Sequence, residues 1–117
     1  MNKQELEYKV LKILEDHPEY TQREIAKELG VSLGKTHYLI KSLIDVGWVK
    51  LENFRRSNNK LGYAYLLTPA GIIEKAKITS QFLSMKQKEY KELYDEISQL
   101  KDEVIRLKSS ASEKNNN

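Results

Sequence analysis

Thr21 to Val49 reads TQREIAKELGVSLGKTHYLIKSLIDVGWV. Two short helical patterns flank a tight turn at Gly30, Val31 and Ser32. Thr21 is placed to cap the first helix, and Glu24, three residues on, completes a capping box. Ile25, Ala26 and Leu29 make one apolar side of that helix, and Gly30 suits the left-handed residue that ends it. Ser32 is a second cap, and Leu39, Ile40 and Leu43 form the stripe of the helix that follows. Its opposite side carries Gly34, Lys35, His37, Tyr38 and Lys41. Two helices spaced in this way make a helix-turn-helix, whose second helix enters the major groove of DNA.

Toward the N-terminus, Asn2 followed by Glu5 starts a helix in which Leu6, Val10, Ile13 and Leu14 recur at helical spacing. It stops before Pro18, because Asp16-His17-Pro18 is a turn signal. Glu19 and Tyr20 read as extended, at most a minimal strand. The motif helices are predicted over 21–29 and 32–46, with Gly47 ending the second. Beyond them, residues 48–54 and 61–67 alternate with period two, the latter with Tyr63, Tyr65 and Leu67 on one side. Thr68 and Pro69 then open a new helix, Thr as cap and Pro at its first position. Three helices followed by a two-stranded hairpin make a winged helix. The fold class is therefore mainly α with a small β hairpin (α+β), the hairpin covering a thin three-helix core. Trp48 is expected in that core, under the hairpin root.

The 117 residues suit one compact domain with an appendage. No apolar run reaches the roughly 18 residues of a membrane span, and no signal-peptide pattern opens the chain, so a cytoplasmic protein is expected. With no cysteine, disulfides, thiol catalysis and cysteine zinc sites are excluded. The net charge of +3 is uneven. Residues 1–30 hold five Lys/Arg against seven Asp/Glu, whereas residues 31–60 hold six against two. The basic excess thus falls on the second motif helix and the hairpin, where phosphates would lie.

From Ile72 onward the pattern becomes a heptad seam. Ile72 is a d position. The a and d pairs that follow are Ala76 and Thr79, Leu83 and Lys86, Tyr90 and Leu93, Ile97 and Leu100, and Val104 and Leu107. Leu at d with Ile and Val at a favours two parallel strands. In a parallel pair Glu96 faces Lys101 of the other copy and Glu103 faces Lys108, whereas an antiparallel pair sets like charges together. Ile72, Leu83, Tyr90, Leu93, Ile97, Leu100, Val104 and Leu107 are therefore the expected dimer contacts. The chain divides into a DNA-binding domain over 1–70, a dimerisation helix over 71–108 and a disordered tail over 109–117, which lacks large apolar residues.

Each face residue of the second motif helix has a chemistry suited to DNA. Gly34 lets the backbone approach the groove floor. Lys35 can bond guanine O6 or N7, and His37 and Tyr38 can exchange hydrogen bonds with base edges or phosphate. Lys41 is placed for phosphate, Leu33 for a thymine methyl, and Ser32 for either cap or contact; Thr36 packs inward or outward. Arg55, Arg56 and Lys60 tip the wing, and arginine there can enter a narrow minor groove. Gln22 and Arg23 begin the first motif helix, whose free amides can receive a phosphate. No nucleophile–base pattern, metal-ligand spacing or phosphate loop occurs, so no enzyme activity, cofactor or metal is expected. The alternative to a DNA-binding regulator is a winged-helix protein–protein adaptor that dimerises through its coil.

Residues Thr21 to Phe54, continuing through Tyr65-Leu66-Leu67-Thr68-Pro69-Ala70-Gly71, resemble the MarR-type winged-helix transcriptional regulators. The similarity is closest to the short subgroup associated with extracellular polysaccharide gene clusters. The resemblance implies a bacterial, cytoplasmic, nucleoid-associated homodimer that binds pseudo-palindromic promoter double-stranded DNA through the helix at 33–46 and the wing at 55–60. Two departures stand out. The chain pattern has one helix before the motif and one after the hairpin, where full-length members build a dimer bundle from both chain ends, and no small-molecule effector is assigned. Phe54-Arg55-Arg56 replaces the usual Asp-x-Arg at the wing tip.

Overall fold

The structure, a computed structural model, describes residues 2–55 and 61–115; of residues 54, 55, 61, 114 and 115 only the backbone is described. The elements run α1 (Lys3–Asp16), α2 (Gln22–Leu29), α3 (Leu33–Asp45), β1 (Val49–Arg55), β2 (Leu61–Leu67) and α4 (Pro69–Asn115). This is the winged helix expected from the sequence, with the limits of both motif helices within one residue of the predicted ones. The chain divides into two units, Met1–Phe82 and Leu83–Asn117.

The caps are those that the sequence names. The Asn2 side chain accepts from the Glu5 amide at 2.8 Å. Thr21 Oγ1 accepts from the Glu24 amide at 3.2 Å, and Glu24 Oε1 accepts from the Thr21 amide at 3.2 Å, closing the capping box. Ser32 Oγ accepts from the Lys35 amide at 3.1 Å. Gly30 ends α2 at φ 71°, a conformation that costs a side-chain-bearing residue free energy and glycine none.

The core of the first unit collects Leu6, Val10, Leu11 and Leu14 from α1, Ile25 and Leu29 from α2, Ile40 and Leu43 from α3, with Val49 and Ile78. It departs from the expected stripes at two places. Leu11 is fully buried and Ile13 only partly, because α1 is covered on more than one side and needs a wider stripe than four residues. Thr36 is fully buried where Leu39 stays half-buried. Its hydroxyl donates back to the Ser32 carbonyl at 3.0 Å, which removes the cost of burying it.

The wing is a two-stranded antiparallel sheet in which Val49 pairs with Leu67, Leu51 with Tyr65 and Asn53 with Tyr63. The extended segment at Glu19 and Tyr20 forms no third strand among the described residues. One backbone bond, Tyr65 amide to Pro18 carbonyl at 2.9 Å, ties it to β2. Trp48 packs against the core but stays half-buried, lining a shallow groove with Val10, Leu39 and Val46, so it is not sealed beneath the hairpin as expected.

The passage from wing to α4 is closely packed. The Thr68 amide donates to the Trp48 carbonyl at 3.0 Å, and Thr68 Oγ1 donates to the Gly47 carbonyl and accepts from the Gly71 amide at 3.0 Å. Gly71 is buried, and a Cβ built on it would overlap the Trp48 carbonyl, so only glycine lets α4 start this close. The first turns of α4 then lie along α1. Ile78 enters the core, Phe82 stacks on Tyr8 with ring centroids 4.9 Å apart, and Lys75 pairs with Glu15 at 2.7 Å. The compact unit therefore extends to Phe82, beyond the boundary at residue 70 expected from the sequence.

The second unit lies within α4, which is helical through Asn115. The expected disordered tail from residue 109 is thus helical for seven more residues. Ser109 to Glu113 holds no Gly or Pro to interrupt the hydrogen-bond ladder, and the Ala, Glu and Lys residues of this end tolerate a helix. No helix among the described residues is long and apolar enough to cross a membrane.

Candidate nucleic-acid interface

Burial divides α3 cleanly. Thr36, Ile40 and Leu43 face the core, while Leu33, Gly34, Lys35, His37, Tyr38 and Lys41 are exposed. Ser32 caps the helix and keeps its own hydroxyl proton free to donate. The inward face is fixed by packing against α1 and α2, so the outward face is presented as a rigid strip. Gly34 is informative because a Cβ there would meet nothing within 4 Å in the protein. The fold gives no reason for glycine at this position, although glycine costs a helix roughly 0.5–1 kcal/mol relative to alanine. An approach from outside the chain supplies one.

The cations on this strip differ in their freedom. Among the described residues, the side chains of Lys35 and Arg23 have no ion-pair partner and are exposed. Lys41 pairs with Asp45 at 3.2 Å, one turn on. Both partners are about two-thirds exposed, so the pair is worth only ~0.2–1 kcal/mol and yields readily to a phosphate. Lys50 is held similarly by Glu52 at 2.8 Å on β1. Arg56, Lys60 and the side chain of Arg55 lie outside the described residues.

Gln22 has a role that the sequence does not suggest. Its side chain bridges two elements, with Oε1 3.2 Å from His37 Nδ1 on α3 and Nε2 donating to the Tyr65 hydroxyl at 3.1 Å on β2. The two motif helices and the wing are thereby joined by one chain of polar contacts. By sequence pattern alone, Tyr65 is no more than one side of a strand. The signal that could have found it is its place on the Leu67 face, which points toward the helices. Arg23 lies in the first turn of α2, as expected. Tyr38 lies at the edge of the strip, where it also lines the groove that holds Trp48.

A shallow cavity of about 290 Å³ lies between the start of α2 and the wing, lined by Tyr20, Thr21, Gln22, Gly62, Tyr63 and Tyr65, with Glu19. Partial burial, and then the carboxylates of Glu28, Glu24 and Glu19, hold the Tyr20 phenol above its usual value. Tyr20 therefore stays protonated and donates to Glu28 at 3.2 Å, while its ring stacks on His17 at 4.2 Å. These contacts brace the corner from which α2 starts.

In the second unit the expected dimer residues are all exposed. Leu83, Leu93, Ile97, Leu100, Val104 and Leu107 are between 43% and 63% accessible, and Tyr90 is 71% accessible. Among the described residues, Glu96, Lys101, Glu103 and Lys108 make no ion pair within the chain. Ile72, in the first unit, is 56% accessible.

Residues 3–50 match the family model described as winged helix-turn-helix DNA-binding. No curated protein matches by sequence. Solved structures do match. The PcaV transcriptional regulator from Streptomyces coelicolor is similar at a TM-score of 0.61 and 21% identity, over 92% of this chain and 78% of that one. A point mutant of S. aureus MepR bound to an oligodeoxyribonucleotide gives 0.52 and 24%, over 90% and 77%. A MarR/EmrR family transcriptional regulator from Acinetobacter sp. ADP1 gives 0.52 and 20%, over 86% and 75%. The resemblance to MarR-type winged-helix regulators read from the sequence is borne out in the fold.

Proposed function

We propose, with the winged helix of the MarR-type regulators as premise, that this chain is a homodimeric, sequence-specific regulator that binds double-stranded promoter DNA. The observation that carries the reading is the exposed strip of α3: small at Gly34, cationic at Lys35 and Lys41, polar at His37, on a helix whose other face is locked in the core. Such a helix face fits a major groove, with Lys35 and His37 at base edges and Lys41 at phosphate. Arg23 and the α2 amides receive a second phosphate, and Arg55, Arg56 and Lys60 follow the backbone along the wing. The oligodeoxyribonucleotide bound to the MepR mutant supports this use of the fold.

The exposed seam of α4 pairs with that of a second copy in parallel, which sets two reading helices on one side of the duplex. Their spacing then matches successive major grooves, ~34–36 Å apart, and the operator is pseudo-palindromic. The chain acts in the cytoplasm, where its DNA lies, and polysaccharide gene clusters are the target class that the sequence resemblance suggests.

The test is a titration of the purified chain against genomic fragments that it selects, repeated over a range of salt. A few phosphate contacts per protomer give a log–log slope of roughly −5 to −8 for a dimer. Affinity that barely moves between about 50 and 200 mM salt would reject the DNA reading, since counterion release is unavoidable when lysine and arginine meet phosphate.

A further inference from the structure

The chain of contacts from Tyr65 through Gln22 to His37 has a direction. Gln22 turns its amide nitrogen to the Tyr65 hydroxyl at 3.1 Å and its oxygen to His37 Nδ1 at 3.2 Å. An amide oxygen only accepts, so in this orientation of Gln22 a hydrogen bond at that distance needs the proton on Nδ1. In the neutral imidazole Nε2 then carries the lone pair, and it is the ring nitrogen directed away from α2. For a solvated histidine the Nδ1–H form is the less common one, so a partner is needed to hold it.

We infer that Gln22 is a positioning residue that holds His37 as its Nδ1–H tautomer, so that His37 presents an acceptor to the major groove and selects a base bearing an exocyclic amino group. Adenine N6 and cytosine N4 are the two such donors on the groove floor. The inference rests on α3 being the reading helix. It adds what His37 reads, and it gives the wing a part in base choice through Tyr65. Thymine O4 and guanine O6 and N7 are acceptors, and two acceptors face to face repel. His37 therefore discriminates by rejection as well as by attraction.

Two measurements on the full chain test this. Nitrogen-15 spectra of the imidazoles, at a pH where both are neutral, report the tautomer directly. The chain has only two histidines, and His37→Asn assigns the signals. The wild type is expected to show His37 protonated on Nδ1, and Gln22→Leu to return it to the Nε2–H form. Tyr65→Phe, which keeps the ring in place but frees the amide, is expected to give a mixture. A wild-type His37 protonated on Nε2 overturns the inference.

Selection of random duplexes followed by sequencing gives the second measurement. Gln22→Leu is expected to lower the preference for the amino-bearing base at one position per half-site by roughly three- to tenfold, the worth of one hydrogen bond. Gln22→Glu keeps an oxygen acceptor, so at a pH where the imidazole is neutral it is expected to retain that preference while binding all sequences more weakly through its added negative charge. Equal loss of affinity on all sequences in Gln22→Leu, with no change of base preference, overturns the base-reading role. If the wild type selects no duplex at all, the DNA reading fails and base selection fails with it, while the tautomer measurement decides the role of Gln22 by itself.

Discussion

At the scale of single residues, the two informative glycines have opposite reasons. Gly71 is needed by the protein, because the Trp48 carbonyl occupies the space where a side chain would begin. Gly34 is not, because that space is open. The two substitutions should therefore separate stability from binding. Gly34→Ala should raise the stability of the free protein by about 0.4–1 kcal/mol in urea denaturation, through the lower entropy of its unfolded chain. The same variant should bind its duplex more weakly, because the new methyl group meets the groove floor. A variant that is both more stable and equally tight would mean that close approach to DNA is not what keeps residue 34 small. Thr36 teaches the converse lesson: a polar residue on a helix face needs no ligand when its hydroxyl finds a carbonyl one turn back.

At the scale of elements, α4 has two different jobs along its length. Up to Phe82 it is part of the domain, held by the Thr68 cap, by Gly71 against Trp48, by Ile78 in the core and by Phe82 on Tyr8. Gly71→Ala should cost about 1–3 kcal/mol, the usual penalty for inserting atoms into a packed site. Calorimetry should then show the melting temperature falling by several degrees, roughly 4–8 °C per kcal/mol for a domain of this size. A melting temperature unchanged within error would mean that the junction relaxes freely. The heptad pattern shows where α4 carries apolar residues, and it does not distinguish a position that packs on α1 from one that awaits a partner. Ile78 falls outside the a and d positions altogether. It is buried because α1 lies there, and that is a property of the neighbouring element.

At the scale of the whole molecule, the division at Phe82 makes a clean truncation possible. A chain ending at Phe82 keeps all the core residues of the first unit, whereas one ending at Thr68 would strip Gly71, Ile78 and Phe82 from it. The chain ending at Phe82 should fold, with helical circular dichroism and a cooperative melt. It should sediment as a monomer and lose most of its duplex affinity, since one reading helix then binds without its twin. A truncated chain that stays dimeric would move the association surface off the distal half of α4. Because surface charge pairs are worth little individually, the apolar seam is expected to supply most of the association and the Glu–Lys pattern the orientation.

The sequence by itself determined the helix-turn-helix, its caps, the hairpin and the start of α4. Those rest on local rules: which residue ends a helix, which accepts an orphan amide, which spacing makes one face apolar. Contacts far apart in the chain had to wait for the tertiary structure. The bridge from Gln22 to His37 and Tyr65, the burial of Leu11 in place of Ile13, the half-exposure of Trp48 and the seating of α4 as far as Phe82 all depend on which elements become neighbours. A sequence pattern records what one segment prefers. Only packing decides what fills the other side.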